Sequence, residues 1–270
     1  MNKRKRFDKI VKDIKDIRIQ GARNISKAAL KAYFLIPTKA SKKKLLASRP
    51  TEPMMQNVLE MVEKENFSQK KLNNYFDESQ KIINKNVLNL VKNKDVIFTH
   101  CHSSNVTKSL INAKKNGKKF EVYNTETRPL YQGRKTAKEL GAAKIKTTMF
   151  IDSAFAVALA KTQGTKKTTK IFMGADALLK EGIINKIGSR AIAEIARQEK
   201  IPVYIIADFV KFTKKKLPIE HRKMNEVWEK VPKGVRIRNP AFEFVPKKFI
   251  TGIVSGLGVM KYGDFIKKVS

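Results

Sequence analysis

Asp95-Val96-Ile97-Phe98-Thr99, followed at once by His100-Cys101-His102-Ser103-Ser104-Asn105, marks the point where the pattern of this chain changes. The first five residues read as a strand, and the polar cluster leads into a helix carrying Val106, Leu110 and Ile111. Downstream, short β-rich runs at 120–123, 146–151, 170–173 and 202–207 alternate with helix-length amphipathic segments. Such alternation predicts parallel strands joined by helical crossovers, an α/β fold of Rossmann-like type. Two later runs, 235–238 and 250–254, extend or flank that sheet.

Upstream the sequence reads as helical. Phe7, Ile10, Val11, Ile14 and Ile17 recur at helical spacing, and a polar break at Gln20-Gly21 precedes a second helix through Ile25, Ala28, Ala29 and Ala32. Pro37, Pro50 and Pro53 punctuate short turns, after which Met54, Met55, Val58, Leu59 and Val62 predict another helix. A long amphipathic stretch from Leu72 to Val91 then links two domains: a helical N-terminal domain at 1–93 and a Rossmann-like domain with a mainly parallel sheet at 94–270. There is no internal repeat and no long low-complexity tail.

Composition narrows the function classes. With 270 residues, 41% apolar and 8% aromatic, the chain can bury a real core. No apolar run approaches the roughly 20 residues that span a bilayer, and the charged start Asn2-Lys3-Arg4-Lys5-Arg6 is unlike a secretory signal, which predicts a cytoplasmic protein without membrane attachment. The single cysteine, Cys101, excludes an intramolecular disulfide and fits a reducing compartment. A formal charge of +34 favours anionic partners. Its lysines are spread over the whole chain without interleaved aromatic residues, which favours solvated faces and small anionic substrates over a nucleic-acid groove.

Ligands of open parallel sheets bind beyond the carboxyl ends of the strands. After the 95–99 run, free amides at a helix start together with the hydroxyls of Ser103 and Ser104 form a phosphate cradle, with Cys101 beside it. A helix-end potential, neighbouring histidines and bound cations would lower the thiol pKa toward neutrality and fit Cys101 for acid–base work. Past the 120–123 run, Arg128 is placed to clamp an anion with Glu126 orienting it. The 170–173 run ends in Gly174-Ala175-Asp176, which sets a carboxylate at the rim that holds Cys101; the bland alternative is that Asp176 caps a helix. Asn185 and Lys186 add an amide and an ammonium nearby, and Asp152 and Asp208 read as caps or structural partners. His100, His102 and His221 lack metal-binding spacing, and neither a Walker loop nor GxGxxG is present, so no metal and no cofactor are called for.

Read together, THCHSSN at 99–105, TETRPLYQGRKTAKEL at 125–140, MGADALL at 173–179, INKIGS at 184–189 and IRNPAFEFVPKKFI at 237–250 resemble the initiation factor 2B-like superfamily. That superfamily unites regulatory subunits of initiation factor 2B with methylthioribose-1-phosphate and ribose-1,5-bisphosphate isomerases. IRIQGARNISKAAL at 17–30 and SRPT at 48–51 resemble its first two substrate-binding segments. The resemblance implies an aldose-to-ketose isomerisation of a phosphorylated pentose, with Cys101 and Asp176 where the isomerases keep their catalytic pair. It further implies Gly21 and Ala22 in the first substrate loop, Arg49 on a phosphate, Ser103, Ser104 and Asn105 as phosphate loop, Asn185 and Lys186 beside the sugar, and Lys211 after the 202–207 strand. The Ser-Ser loop and the short chain favour the ribose-1,5-bisphosphate branch, which would feed nucleoside and AMP salvage into a ribulose-bisphosphate carboxylase. The superfamily's habit implies a homo-oligomer, a dimer or a hexamer built from dimers. One departure stands out: Gln20 occupies a place where the isomerases carry arginine, and Arg18 and Arg23 are the neighbours able to replace it. Gln20 and the charge favour the rival reading, a non-catalytic regulator that contacts a translation factor or RNA.

Overall fold

The computed structural model describes residues 2–65 and 68–270; Met1, which opens the basic N-terminal run, lies outside the described residues. Five helices come first. Helix α1 (Lys3–Lys15) is capped by Asn2, whose side chain accepts the Lys5 amide, and buries Phe7, Val11 and Ile14 on one stripe. Ile17 is not part of it: the chain leaves the helix through a left-handed turn, with Ile17 at φ 61°. Helix α2 (Ala22–Leu35) follows, and α4 (Pro53–Glu65) packs beside it. Between them α3 (Lys39–Ser48) occupies the segment expected to form only turns. Its helix start is written in Thr38, which caps Ser41, but it buries the apolar side chain of Leu45 alone, so the sequence carries no apolar stripe to betray it.

Helix α5 (Gln69–Leu90) spans 22 residues and joins two cores. Its early residues Leu72 and Phe76 pack among the N-terminal helices, while Ile83 and Val87 pack under the sheet beside Val106, Leu110 and Val122. Tyr75 and Ser79 on the same helix each donate to Asp208 at 2.8 Å, which makes Asp208 a structural tie between the helices and the sheet.

The sheet has seven strands in the order β10-β9-β7-β4-β1-β2-β3. These are β1 (Val96–Thr99), β2 (Glu121–Thr125), β3 (Lys146–Phe150), β4 (Lys170–Met173), β7 (Val203–Ile206), β9 (Gly252–Ser255) and β10 (Gly258–Met260). Every pairing is parallel except β9 with β10, as the βα alternation predicted. Strand β1 is buried along its whole length, which explains its unbroken apolar run. A separate antiparallel sheet joins β5 (Ala177–Leu178), β6 (Gly182–Lys186) and β8 (Phe242–Pro246). The run 235–238 is not a strand; Val235 is exposed, and the pairing falls instead to β8, which aligns with β6 from Gly182↔Pro246 to Lys186↔Phe242.

Candidate functional site

Strand β1 is the point where the sheet order reverses, with β2 and β3 on one side and β4, β7 and β9 on the other. Adjacent parallel strands whose connections depart in opposite directions leave a crevice beyond their carboxyl ends. Cys101 follows β1 by two residues and Asp176 follows β4 by three, and β1 and β4 pair directly, Phe98 with Ile171. Both side chains line one cavity of about 360 Å³, closed from above by the N-terminal helices. Asp176 does not cap a helix: it leads into the β5–β6 hairpin, and its amide donates to the Ile184 carbonyl at 2.8 Å.

Cys101 is held in a left-handed conformation, φ 65°, rare for a residue with a side chain. Its amide donates to Thr127 Oγ1 at 3.1 Å and its carbonyl accepts from Thr136 Oγ1 at 2.8 Å, so both sides of the strained residue are pinned. The flanking histidines are pinned too. The Ile187 carbonyl can only accept, so His100 Nε2 carries the hydrogen (2.8 Å) and Nδ1 receives the Thr125 hydroxyl at 2.6 Å. Because the Thr136 hydroxyl is spent on Cys101, His102 Nδ1 is the donor to it at 3.1 Å. Burial lowers both imidazoles to about 4, so neither is charged at neutral pH.

That removes one source of thiol activation expected from sequence, and the thiol moves the other way. Burial pushes Cys101 up to about 11; Lys186 pulls it down and Asp176 pushes it further up, and desolvation wins. The unliganded protein therefore holds Cys101 as a protonated thiol. At pH 8 its alkylation by iodoacetamide should run ~100-fold slower than that of an ordinary thiol near 8.5 and should climb with pH toward 11, readable by mass spectrometry at the single cysteine. A rate that plateaus near neutrality would contradict this picture.

Ser103, Ser104 and Asn105, expected to cradle a phosphate, line the cavity at a helix start. Helix α6 (Ser104–Lys115) starts immediately after Ser103, whose side chain takes the Val106 amide, and Ser104 and Asn105 in its first turn line the cavity. Gly174 fits against this loop because it lacks a side chain: a Cβ there would lie 2.7 Å from Ser103 Cβ and Oγ. The Asn105 side chain is anchored through Gln80 on α5.

Charge distinguishes the cavity. Seven lysine or arginine side chains line it against three carboxylates. Around Asp176 stand Lys211, Lys186 and Arg49, all of which oppose the rise that burial imposes on its pKa. Lys186 and Lys211 are buried, and among the described residues no carboxylate lies within ion-pair distance of either. Lys211 donates to the Ala175 carbonyl at 2.6 Å, and Lys186 lies 4.8 Å from the Phe242 ring centre. Asp176 acts on both from beyond ion-pair distance, so the two buried ammoniums are only partly compensated and a further anion would offset that cost. Arg49 reaches Glu220 at 3.0 Å and is partly neutralised by it. At the other end Arg23 and Lys108 stand close enough, with Lys27, to lower the Lys108 pKa, burial being the larger cause.

Gln20, Gly21, Ala22, Arg49, Ser103, Ser104, Asn105, Asn185, Lys186 and Lys211 all line this cavity together with Cys101 and Asp176. Arg128 does not. Asp152 accepts the amides of Thr127 and Arg128 at 2.8 and 2.6 Å, and the Arg128 side chain turns outward to the Tyr131 hydroxyl and the Val227 carbonyl. Glu126 pairs with Arg134 instead. Arg23 sits at the cavity beside Gln20, whereas Arg18 pairs with Asp13 away from it. Sequence reading missed Glu52, Lys108 and Gln132. The buried Glu52 Oε1 and Gln132 Oε1 have no partner atom, and both residues line the cavity.

An α/β scaffold with helices on both faces of its sheet and a cationic cavity at its switch point matches known proteins. Residues 35–262 match the model of the initiation factor 2 subunit family, and the chain belongs to that family. It is 32% identical to ribose 1,5-bisphosphate isomerase of Methanocaldococcus jannaschii, over 92% of this chain and 89% of that one. It is 33% identical to methylthioribose-1-phosphate isomerase of Exiguobacterium sibiricum over 82% of this chain and 72% of that protein. Among solved structures, the Pyrococcus horikoshii translation initiation factor eIF-2B superposes with a TM-score of 0.83 at 24% identity, covering 95% of this chain and 97% of that one. Sugar-phosphate isomerases thus stand among its relatives, and the fold is that of the family. No helix among the described residues is long and apolar enough to cross a membrane.

Proposed function

We propose that this protein is a sugar-phosphate isomerase converting ribose 1,5-bisphosphate to ribulose 1,5-bisphosphate, with Cys101 and Asp176 as its acid–base pair. The observation that carries this reading is the pair of buried ammoniums, Lys186 and Lys211, held in no ion pair among the described residues, in the cavity that also holds a thiol and a carboxylate. Two cationic groups, Lys186, Lys211 and Arg49 around Asp176 and a second one of Arg23 and Lys108, suit a ligand with two phosphates better than one with a phosphate and an apolar methylthio group.

The chemistry follows from the protonation states. Cys101 enters as a thiol and donates its proton to the ring oxygen as the C1–O bond opens. Asp176, whose pKa burial raises against the opposing pull of Lys211, Lys186 and Arg49, acts in its ionised form and takes the hydrogen from C2 as a proton, which leaves an enol between C1 and C2. Asp176 then returns that proton to C1 while the C2 hydroxyl gives its proton to the Cys101 thiolate. The ketone forms and both groups are restored, so electrons balance within the sugar.

Purified protein incubated with ribose 1,5-bisphosphate should yield ribulose 1,5-bisphosphate, scored by carbon NMR, with methylthioribose 1-phosphate turned over at least tenfold less well. Absence of turnover on any phosphopentose, together with salt-sensitive capture of translation initiation factor 2 or ribosomal RNA, would decide for the regulatory reading that Gln20 favours. A cytoplasmic homo-oligomer, dimer or hexamer, belongs to the same proposal and is read by light scattering.

A further inference from the structure

Glu52 is the one acidic side chain of the cavity that neither the family motifs nor the proposed acid–base pair accounts for. It closes the turn Arg49-Pro50-Thr51-Glu52 at the start of α4, with its amide on the Arg49 carbonyl at 3.2 Å. Only 5% of the residue is exposed. One carboxyl oxygen accepts the Met54 amide, the capping contact expected of an acidic residue before a helix. The other, Oε1, is buried, has no partner and belongs to the cavity wall. Capping needs one oxygen, so the second is left unexplained by helix structure, and a buried oxygen without a hydrogen bond is destabilising.

We propose that Glu52 is a specificity-determining residue of this cavity, its free oxygen hydrogen-bonding a sugar hydroxyl next to Asp176. This rests on the phosphosugar reading above. Its surroundings support the assignment from every side: Arg49 on its own turn, Lys211 from the turn Phe209–Lys211 after β7, and Asp176 from the end of β4 all act on its charge. Glu220 and, behind it, Arg222 from the long loop before β8 hold Arg49 in place. Lys186 and Cys101 face Asp176 from the remaining walls.

Burial, reinforced by Asp176, raises the Glu52 carboxyl to about 8 against the opposing pull of Lys211 and Arg49. At pH 7 the group is a neutral acid able to donate or accept one hydrogen bond. As pH rises through about 8 it becomes an anion beside an anionic ligand, and affinity should fall. Glutamine keeps the shape, the capping oxygen and the hydrogen-bonding capacity but never ionises.

The test is calorimetric titration of ribose 5-phosphate into the full-length wild type, Glu52→Gln and Glu52→Ala between pH 7 and 9.5, with turnover of ribose 1,5-bisphosphate measured on the same preparations. The wild-type Kd should weaken several-fold over that range while that of Glu52→Gln stays flat, and Glu52→Ala should lose ~10-fold at pH 7. Should Glu52→Ala not fold, the wild-type and Gln profiles decide alone. Identical pH profiles for wild type and Glu52→Gln overturn the assignment, even where turnover is intact. Binding with the expected profiles but without turnover leaves the assignment standing and removes the isomerase reading. No binding of ribose 5-phosphate to the wild type removes both.

Discussion

Cys101→Ser and Asp176→Asn should each lower kcat on ribose 1,5-bisphosphate by ~10²–10⁴-fold, the range that a positioned general acid or base contributes. Serine keeps a hydroxyl in place of the thiol but holds its proton far more tightly, and asparagine keeps the shape of aspartate without a basic oxygen. Neither change should unfold the protein. Cys101 is pinned through its backbone by Thr127 and Thr136, contacts that serine retains, and Asp176 is fixed by its amide on Ile184. KM should change less than kcat, because the proposed phosphate contacts are made by other side chains. A variant with unaltered kcat and a cooperative melt like that of the wild type would remove that residue from the chemistry.

Lys186→Met should separate binding from stability. The ammonium is buried, has no carboxylate within ion-pair distance among the described residues, and lies over the Phe242 ring. Methionine fills similar volume without charge, and replacing a poorly compensated buried charge by an apolar side chain is often neutral or stabilising. Losing a charge-assisted bond to phosphate costs about 1.5–3 kcal/mol, which corresponds to a KM raised ~10–150-fold. The expected pair of results is therefore a Tm equal to or above wild type with a large rise in KM. A lower Tm with unchanged KM would make Lys186 a structural residue and leave the anion site without its strongest support.

What the sequence disclosed and what it hid have physical reasons. The strand–helix alternation after residue 95 was legible because the inner strands β1 and β4 are buried throughout, each carries three consecutive apolar residues, and both lead into polar or reactive groups. Residues directly after those strands, Cys101, Ser103 and Asp176, were accordingly found at one cavity. Glu52, Lys108 and Gln132 were not, because they start helices or lie along a helix face and reach the cavity only through packing of α4, α6 and the helix Gln132–Ala142 around it. Arg128 looked like a clamp in the linear motif, but Asp152, 24 residues downstream, turns its side chain outward. The sign of the Cys101 shift was also out of reach: helix-end potential and desolvation act in opposite directions, and only the extent of burial decides between them. Helix α3 and the β5–β6–β8 sheet escaped since neither carries a clean period, the first with four lysines in ten residues and one buried apolar side chain, the second with only two to five residues per strand.

The most direct measurement is a crystal structure of the Cys101→Ser variant soaked with ribose 1,5-bisphosphate. The account predicts one phosphate against Ser104, Asn105 and the Arg23–Lys108 end, the other by Lys186 and Lys211, and C2 within about 3.5 Å of an Asp176 oxygen. A sugar lodged outside this cavity, or one bound with C2 turned away from both position 101 and Asp176, would contradict it.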